Sequence, residues 1–465
     1  MSLHRLFTCF AVVLFFACSG KAEASTAPAS STVEKSPMTI TLGQAVQIGM
    51  KHNRDLELAR LDKLMAGQKV RESWAEVLPH LSSSMTYTRT LKPTVMFLPN
   101  SFFNIPGGGT QAIEVSSDNS SVLSFNLSQN IFKLSAIAGI KAAALVRQIS
   151  DESYRHTNAE VVTSIRRAYY DALIATEKRK LLEQSISRWD ESRKDTNSLF
   201  RQGVAADIDT LKAWLSVENL KPDLVRAQSG EAIASTKLKM VMGIDQDTQV
   251  ALSDSLVFRE AEIPANIAAA YREALEKRPD VSSLSLQLDA EKYKVTAARS
   301  EGMPSLSAFG TLGAQTQFSD QKPVDQTRWP VSSSIGLQLS VPIFSGFGTS
   351  ARIEQAKITR LQTRTRYEEL KSQVRADVEV RLSNLIEARK RIDLQSKTIS
   401  VAERSYRITR LRLREGIGSR LELTDAELQL NTAKTNYLQA VYDYLVASAE
   451  LEKSLGRVGS AEPKS

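Results

Sequence analysis

The chain states its architecture twice. Asp55 to Leu81 and Asp280 to Leu306 keep Asp, Lys-Val and Pro-x-Leu in step. Leu127-Ser-Gln-Asn-Ile-Phe132 returns as Leu339-Ser-Val-Pro-Ile-Phe344. Arg201-Gln-Gly203 returns as Arg414-Glu-Gly416, and Leu238 to Gly243 returns as Leu451 to Gly456 at the same offset. A unit this long is a duplicated fold half rather than a short solenoid repeat. Each copy reads helix, β-hairpin, very long helix, turn, helix. One copy can close neither a sheet nor a bundle alone, so the two copies form one object.

At 465 residues the length alone admits two or three domains. Duplication sets the boundaries instead: a first repeat over 39–244 with its hairpin at 81–132, a link over 245–263, and a second repeat over 264–456 with its hairpin at 305–344. A flexible tail over 457–465 follows. Aromatic residues are only 6% of the chain, and 21 Gly with 14 Pro leave few breaks, which fits long helices better than a compact enzyme. The net charge of +8 is not gathered into a Lys/Arg patch with interleaved aromatics, which argues against nucleic acid as a partner.

The N-terminus reads as an export signal. His4 and Arg5 precede the apolar run Leu6 to Ala17, and Ala22-Glu-Ala24 is a small-x-small cleavage site, giving a signal peptide over 1–24. The alternative is a signal over 1–17 with Cys18 lipidated, since Ala17-Cys18-Ser19-Gly20 has the form of a lipoprotein site. A run this short is not a membrane-spanning helix. Cys9 and Cys18 are the only cysteines, so the mature chain holds no disulfide and no thiolate metal site. Residues 25–38, rich in Ser, Thr, Ala and Pro, form a flexible leader.

Thr41 is placed to cap a first helix that runs to Pro79, where the missing backbone donor stops it. The period then changes. Leu81, Ser83, Met85 and Tyr87 alternate with polar residues, as do Leu123, Phe125 and Leu127. Copy two repeats this with Leu306, Ala308, Gly310 and Leu312, then Ile335, Leu337, Leu339 and Val341. Period two with one apolar face means strands. The segments 92–121 and 315–333 are read as loops. Four strands leave two open edges, which are an aggregation hazard in water and forbidden in lipid. Either the sheet is soluble and covered by helices, or several chains pool strands into a closed barrel with the apolar face outward.

No proline interrupts Leu134 to Phe200 or Ser350 to Glu415. About 65 helical residues span roughly 100 Å, too long for a compact domain. Val378, Leu385, Ile392, Ile399, Tyr406 and Leu413 fall at steps of seven, the signature of a coiled-coil seam. Pro222 predicts a kink in the return helix of copy one. The histidines His52, His80 and His156 lack metal-ligand spacing, and no Gly-rich phosphate loop follows a strand. The chain therefore reads as neither an enzyme nor a cofactor binder.

The order of these motifs resembles the TolC-like outer-membrane efflux family. Ile40-Thr-Leu-Gly-Gln-Ala-Val46, His52-Asn53, Leu78-Pro-His-Leu81, Ile131-Phe132, Ile343-Phe-Ser-Gly346, the spaced pairs Gly203/Ala213 and Gly416/Ala426, and Leu455-Gly456 carry the resemblance, which covers Thr39 to Gly456. Arg54 departs from the proline usual in the family, which copy two keeps as Pro279, and Lys133-Leu134 departs from a Gly-containing turn. The resemblance implies a mainly α protein with membrane β: four strands per chain contributing to a twelve-stranded outer-membrane β-barrel in a homotrimer, above a long coiled-coil α-helical barrel. It implies a passive exit duct of a tripartite efflux or type I secretion system in a Gram-negative outer membrane. The implied partners are a periplasmic adaptor and an inner-membrane pump of RND, ABC or MFS type. The competing reading is a non-transporting periplasmic coiled-coil adaptor or spacer.

The resemblance also places the functional residues. Gln202-Gly203-Val204 and Glu415-Gly416-Ile417 are tips that dock the adaptor and form the periplasmic entrance. Glu422 and Asp425 lie three apart on one helix face, where threefold symmetry would make two carboxylate rings that favour cations. The plain alternative is an acidic first turn favoured by the helix dipole. Asp207 and Asp209 hold the matching turn of copy one, and Asp209 matches a position that links the hairpins. Gly418 and Ser419 sit where a basic latch can occur in the family, with Arg420 as a substitute.

Overall fold

A computed structural model describes residues 38–92, 94–103, 106, 108–264, 266–320 and 327–458. The signal segment, Cys18, the leader up to Pro37 and the tail from residue 459 lie outside the described residues.

Thr41 caps helix α1 (Leu42–His52) through a reciprocal box: its Oγ1 accepts from the Gln44 N–H at 3.3 Å, and Gln44 Oε1 accepts from the Thr41 N–H at 2.9 Å. The helix expected to run on to Pro79 instead breaks at Asn53. That side chain accepts from the Asp55 and Leu56 N–H groups and starts α2 (Arg54–Ala75). Its amide also donates to the distant Val241 carbonyl at 2.8 Å. Copy two repeats the joint. Pro279 opens one helix, the previous helix ends at Lys277, and Arg278 between them donates to the Ser454 carbonyl at 3.3 Å. Val241 and Ser454 are separated by the same interval as Gly243 and Gly456. These glycines explain the close fit: both have φ of 72°, and a Cβ on Gly243 would stand 2.2 Å from the His52 carbonyl oxygen. A Cβ on Gly456 would stand 2.7 Å from the Lys277 carbonyl carbon. Each copy's closing helix ends against its own joint, and only glycine permits the approach.

The ends of the leader and the link are not structureless. β1 (Met38–Ile40) pairs in parallel with one strand of the link, Val250–Leu252. Ile40 is buried, and Tyr169 donates its hydroxyl to the Ile40 carbonyl and to Asp254, which also accepts from the Leu42 N–H.

The strands β2 (His80–Arg89), β3 (Val95–Pro99), β4 (Thr110–Glu114) and β5 (Asn119–Phe132) follow α2. β6 is the link strand Val250–Leu252. β7 (Ser305–Phe318) and β8 (Val331–Ser340) belong to copy two. β2-β5-β7-β8 form one antiparallel sheet. Its register puts Leu81, Leu127, Gly310 and Ile335 in one row and Met85, Leu123, Ala314 and Val331 in another. Ser82, Asn126, Thr311 and Ser334 share the other face, where hydroxyls pair across strands, as in Ser84 with Ser124 and Thr311 with Ser334. A bulge between Asn130 and Phe132 shifts Phe132 into the apolar row of Leu306 and Leu339. The 92–121 segment, expected as loop, holds the β3-β4 hairpin. The proline at the end of β3 and the glycines before β4 hid that hairpin from the period-two reading.

The long helices are α3 (Leu134–Arg201) and, in copy two, α8 (Gly348–Arg414), each about 100 Å. Between them lie α4 (Asp207–Glu218), α5 (Lys221–Met242), α6 (Ile267–Lys277) and α7 (Pro279–Ser300). α9 (Arg420–Ser454) is the return helix of copy two. The break between α4 and α5 falls at Asn219 and Leu220, just before Pro222, as the missing amide requires. The seven-residue seam on α8 is the core: Val378, Leu385 and Ile392 are buried with Val441 and Tyr444 of α9 and Ile165 and Tyr169 of α3. Toward the tips this core thins to Ala402, Leu430 and Ala433, flanked by Ile399 and Tyr406.

Candidate functional site at the helical tips

Both long helices reverse at a left-handed glycine. Gly203 has φ of 76° and Gly416 has φ of 75°. Around the first, the Val204 N–H returns to the Leu199 carbonyl; around the second, the Ile417 and Gly418 N–H groups return to the Arg412 carbonyl. These bonds satisfy carbonyls that a helix end otherwise leaves bare. Gln202 and Glu415 end the long helices, while Val204 and Ile417 stand exposed at the apex of each turn.

Of the acidic residues singled out in the sequence, Asp209 caps its own helix. Asp209 accepts from the Ala206 N–H at 3.4 Å, and Thr210 donates to Asp207. Ser419 caps α9 by accepting from the Glu422 N–H at 3.3 Å. Glu422 also lies 3.4 Å from the Arg412 guanidinium, and Asp425 accepts from Gln429 at 2.7 Å. Glu422 and Asp425 share one exposed face, but within one chain neither meets Asp207 or Asp209.

Arg420, the expected substitute latch, does join the two hairpins, together with residues that carry no motif. Glu427 of α9 is 2% exposed. Its Oε1 accepts from Arg188 Nε at 2.8 Å, from Ser185 at 3.1 Å and from Asn431 at 3.2 Å. Arg188 also donates to Asn431 at 3.0 Å. Nearer the tips, Arg410 of α8 pairs with Glu191 of α3 at 2.6 Å, and Arg420 donates to Thr196. Arg420 and Asp209 do not form an ion pair: both line a cavity of about 260 Å³ with Arg188, Tyr406 and Arg410. Burial holds the Arg420 guanidinium below its ordinary range, with the Asp209 carboxylate opposing that shift. Burial, reinforced by the Glu427 carboxylate, pushes the Tyr406 phenol up. Glu427 had a sequence signal: it is a charge inside the buried stripe of Leu423, Ala426, Leu430 and Ala433. Its partner Arg188, far away on α3, had none.

The fold and the sequence have counterparts among known proteins. The alkaline protease secretion protein AprF of Pseudomonas aeruginosa is 25% identical over 346 residues, covering 73% of this chain and 70% of that protein. The outer membrane protein TolC of Escherichia coli K12 is 20% identical over 428 residues, covering 90% of this chain and 83% of that protein. The crystal structure of the CmeC outer membrane channel of Campylobacter jejuni matches with a TM-score of 0.74 at 20% identity, covering 90% of this chain and 87% of that one. The open-state MtrE outer membrane channel of Neisseria gonorrhoeae matches with a TM-score of 0.71 at 20% identity, covering 89% and 88%. The sequence profile described as outer membrane efflux protein matches residues 46–244 and 270–457, one segment in each copy of the repeat. The chain belongs to the outer membrane efflux protein family.

Proposed function

We infer that this outer-membrane exit duct works as a homotrimer, in which three four-stranded sheets close one barrel and the long helices continue it as a hollow periplasmic cylinder. The observation that carries this is the sheet itself. β2 and β8 are unpaired edges, and the outer face exposes Leu81, Met85, Leu337 and Ile335, the last at 91%. Such a face is stable in lipid and not in water, and lipid tolerates no open edge. A periplasmic spacer has no use for that face. Helices of about 100 Å carry the channel from the bilayer toward the inner membrane.

The duct is passive in this reading. An inner-membrane pump supplies the energy, and a periplasmic adaptor seats on the tips around Gln202-Gly203-Val204 and Glu415-Gly416-Ile417. The apolar side chains Val204, Ile417 and Leu421, exposed at the apices, suit an interface rather than bulk water. The exposed pair Glu422 and Asp425 gives the entrance its cation preference. Planar-bilayer conductance of the detergent-purified protein, with its native mass taken in the same preparation, tests the reading. A trimer with small cation-selective channels supports it; a monomer without conductance rejects it. Replacing Glu422 and Asp425 together by alanine should raise conductance and weaken divalent-cation block, and unchanged traces would remove them from the constriction.

A further inference from the structure

The tip cavity shared by α3, α4, α8 and α9 gathers more positive charge than the contacts around it use. Four guanidinium groups line it, from Arg188, Arg410, Arg414 and Arg420, against the carboxylates of Asp195 and Asp209. Two of the four have close partners. Arg188 is held by Glu427 and Asn431, and Arg410 by Glu191 at 2.6 Å. The other two are weakly matched. Arg414 stands 3.9 Å from Glu191 and 4.0 Å from Asp195, at the limit of an ion pair. Arg420 donates to the neutral hydroxyl of Thr196, and its Nη2 is buried with no hydrogen-bond partner among the described residues.

A buried donor on a charged group is costly when it lacks an acceptor, because the group has left water and gained no bond in return. Burial accordingly holds the Arg420 guanidinium below its ordinary range, and the Asp209 carboxylate offsets this only in part. That carboxylate is engaged at the start of α4, where it accepts from the Ala206 N–H. Both α4 and α9 start at the cavity, so the positive ends of two helix dipoles add to the field of the arginines. The volume of about 260 Å³ is several times the share of one water, about 30 Å³.

We propose that this cavity binds a free oxyanion of the phosphate class, with Arg420 and Arg414 as its main ligands. A planar guanidinium presents paired N–H donors that match two oxygens of one ion, which phosphate and sulfate offer and a halide does not. The cavity has room for such an ion with bridging waters. A lipid headgroup is the other source of phosphate, but the sheet that meets lipid lies at the far end of helices about 100 Å long. The bound ion supplies the acceptor that Arg420 Nη2 lacks and ties the first turn of α9 to the last turn of α8. Asp195 and Asp209 oppose it, so its affinity is moderate and falls with ionic strength. Every residue of the wall belongs to one chain, so the site goes beyond the homotrimeric reading and does not depend on it.

The test is isothermal titration calorimetry of the full chain in detergent with sodium phosphate, at constant ionic strength in sodium chloride. Native mass is taken in the same sample. One saturable site per chain is expected, with sulfate competing. Arg420→Gln should weaken phosphate about tenfold or more, through loss of charged donors. Arg420→Lys keeps the charge without the fork and should fall between. Arg414→Gln alters a side chain that is more than half exposed, so it spares the fold and should also weaken binding. Arg226→Gln, on an exposed side chain outside the cavity, should bind like the parent. Phosphate should raise the thermal unfolding midpoint of the parent and leave that of Arg420→Gln in place. No saturable binding, or equal affinity in the parent, Arg420→Gln and Arg414→Gln, overturns the site whatever the native mass. A monomer that binds phosphate through Arg420 overturns the homotrimer and leaves the site standing.

Discussion

Replacing Glu427 by leucine should open the entrance, and the size of the effect follows from its surroundings. The carboxylate accepts three hydrogen bonds on one oxygen and compensates Arg188, whose side chain is 21% exposed. Removing one partner of a buried ion pair costs about 3–5 kcal/mol, because the other charge stays buried alone. Arg188 keeps Asn431 and some water, so the low end applies, about 3 kcal/mol. The pair joins hairpin one to hairpin two, and Arg188 regains solvent when they part. The cost therefore falls on the closed arrangement and shifts its ratio to the open one by more than about a hundredfold per chain. Adding Arg188→Met removes the stranded charge, and the double variant should return to within about 1 kcal/mol of the parent or become more tightly closed. Single-channel recording in planar bilayers reads this directly, with native mass confirming that each variant is still a trimer. A double variant as leaky as Glu427→Leu, or a single variant that conducts like the parent, would refute the reasoning.

The two glycine classes should separate cleanly. Gly203→Ala meets no atom within 4 Å and carries only left-handed strain, about 1–2 kcal/mol, whereas Gly243→Ala adds a collision with the His52 carbonyl and should lower the thermal unfolding midpoint distinctly further. Equal midpoints would mean the joint yields. The Arg457 guanidinium, aided by Lys277, holds Glu273 down from 4.5 to about 2. A depressed carboxylate stabilises above its unfolded pKa, so Glu273→Gln should destabilise at neutral pH, and the difference from the parent should fade as pH drops from 4.5 toward about 2. A difference independent of pH in denaturation curves would remove the ion pair as its cause. Ile335→Arg, on the lipid face of β8, should cost up to about 2–4 kcal/mol and reduce the yield of membrane-inserted protein, while Ser334→Arg on the opposite face should leave the yield unchanged. Equal yields would place Ile335 away from lipid.

The features legible in the sequence are those set by local period. Alternation found the four main strands, and the steps of seven found the α8 seam, because each depends on neighbours within a few residues. Pro222 marked its break for the same reason. Asn53 carries no sign in the sequence beyond its place in a motif. Its role as a helix start depends on a local cap, but its hold on Val241 depends on a helix from the far end of the same copy. Arg420 is the expected stand-in for the basic latch missing at Gly418 and Ser419, and the approach of α9 to α3 decides that Thr196 is the acceptor within its range. Glu427 could have been found as a charge in an apolar stripe. Arg188 could not, since nothing near it differs from the solvated arginines along the same helix.

The unpaired edges of β2 and β8 also govern how the protein is made. A barrel folded from one chain can finish its own wall, and its completion is a first-order event. Here the wall closes only when two further copies arrive, so the rate of closure climbs steeply with the local density of chains. Until then each newly made subunit presents bare backbone donors and acceptors beside Ile335 and Leu337, which is a template for wrong pairing. Hydrocarbon rejects the unfinished sheet. Entry into the bilayer is therefore coupled to meeting the other subunits.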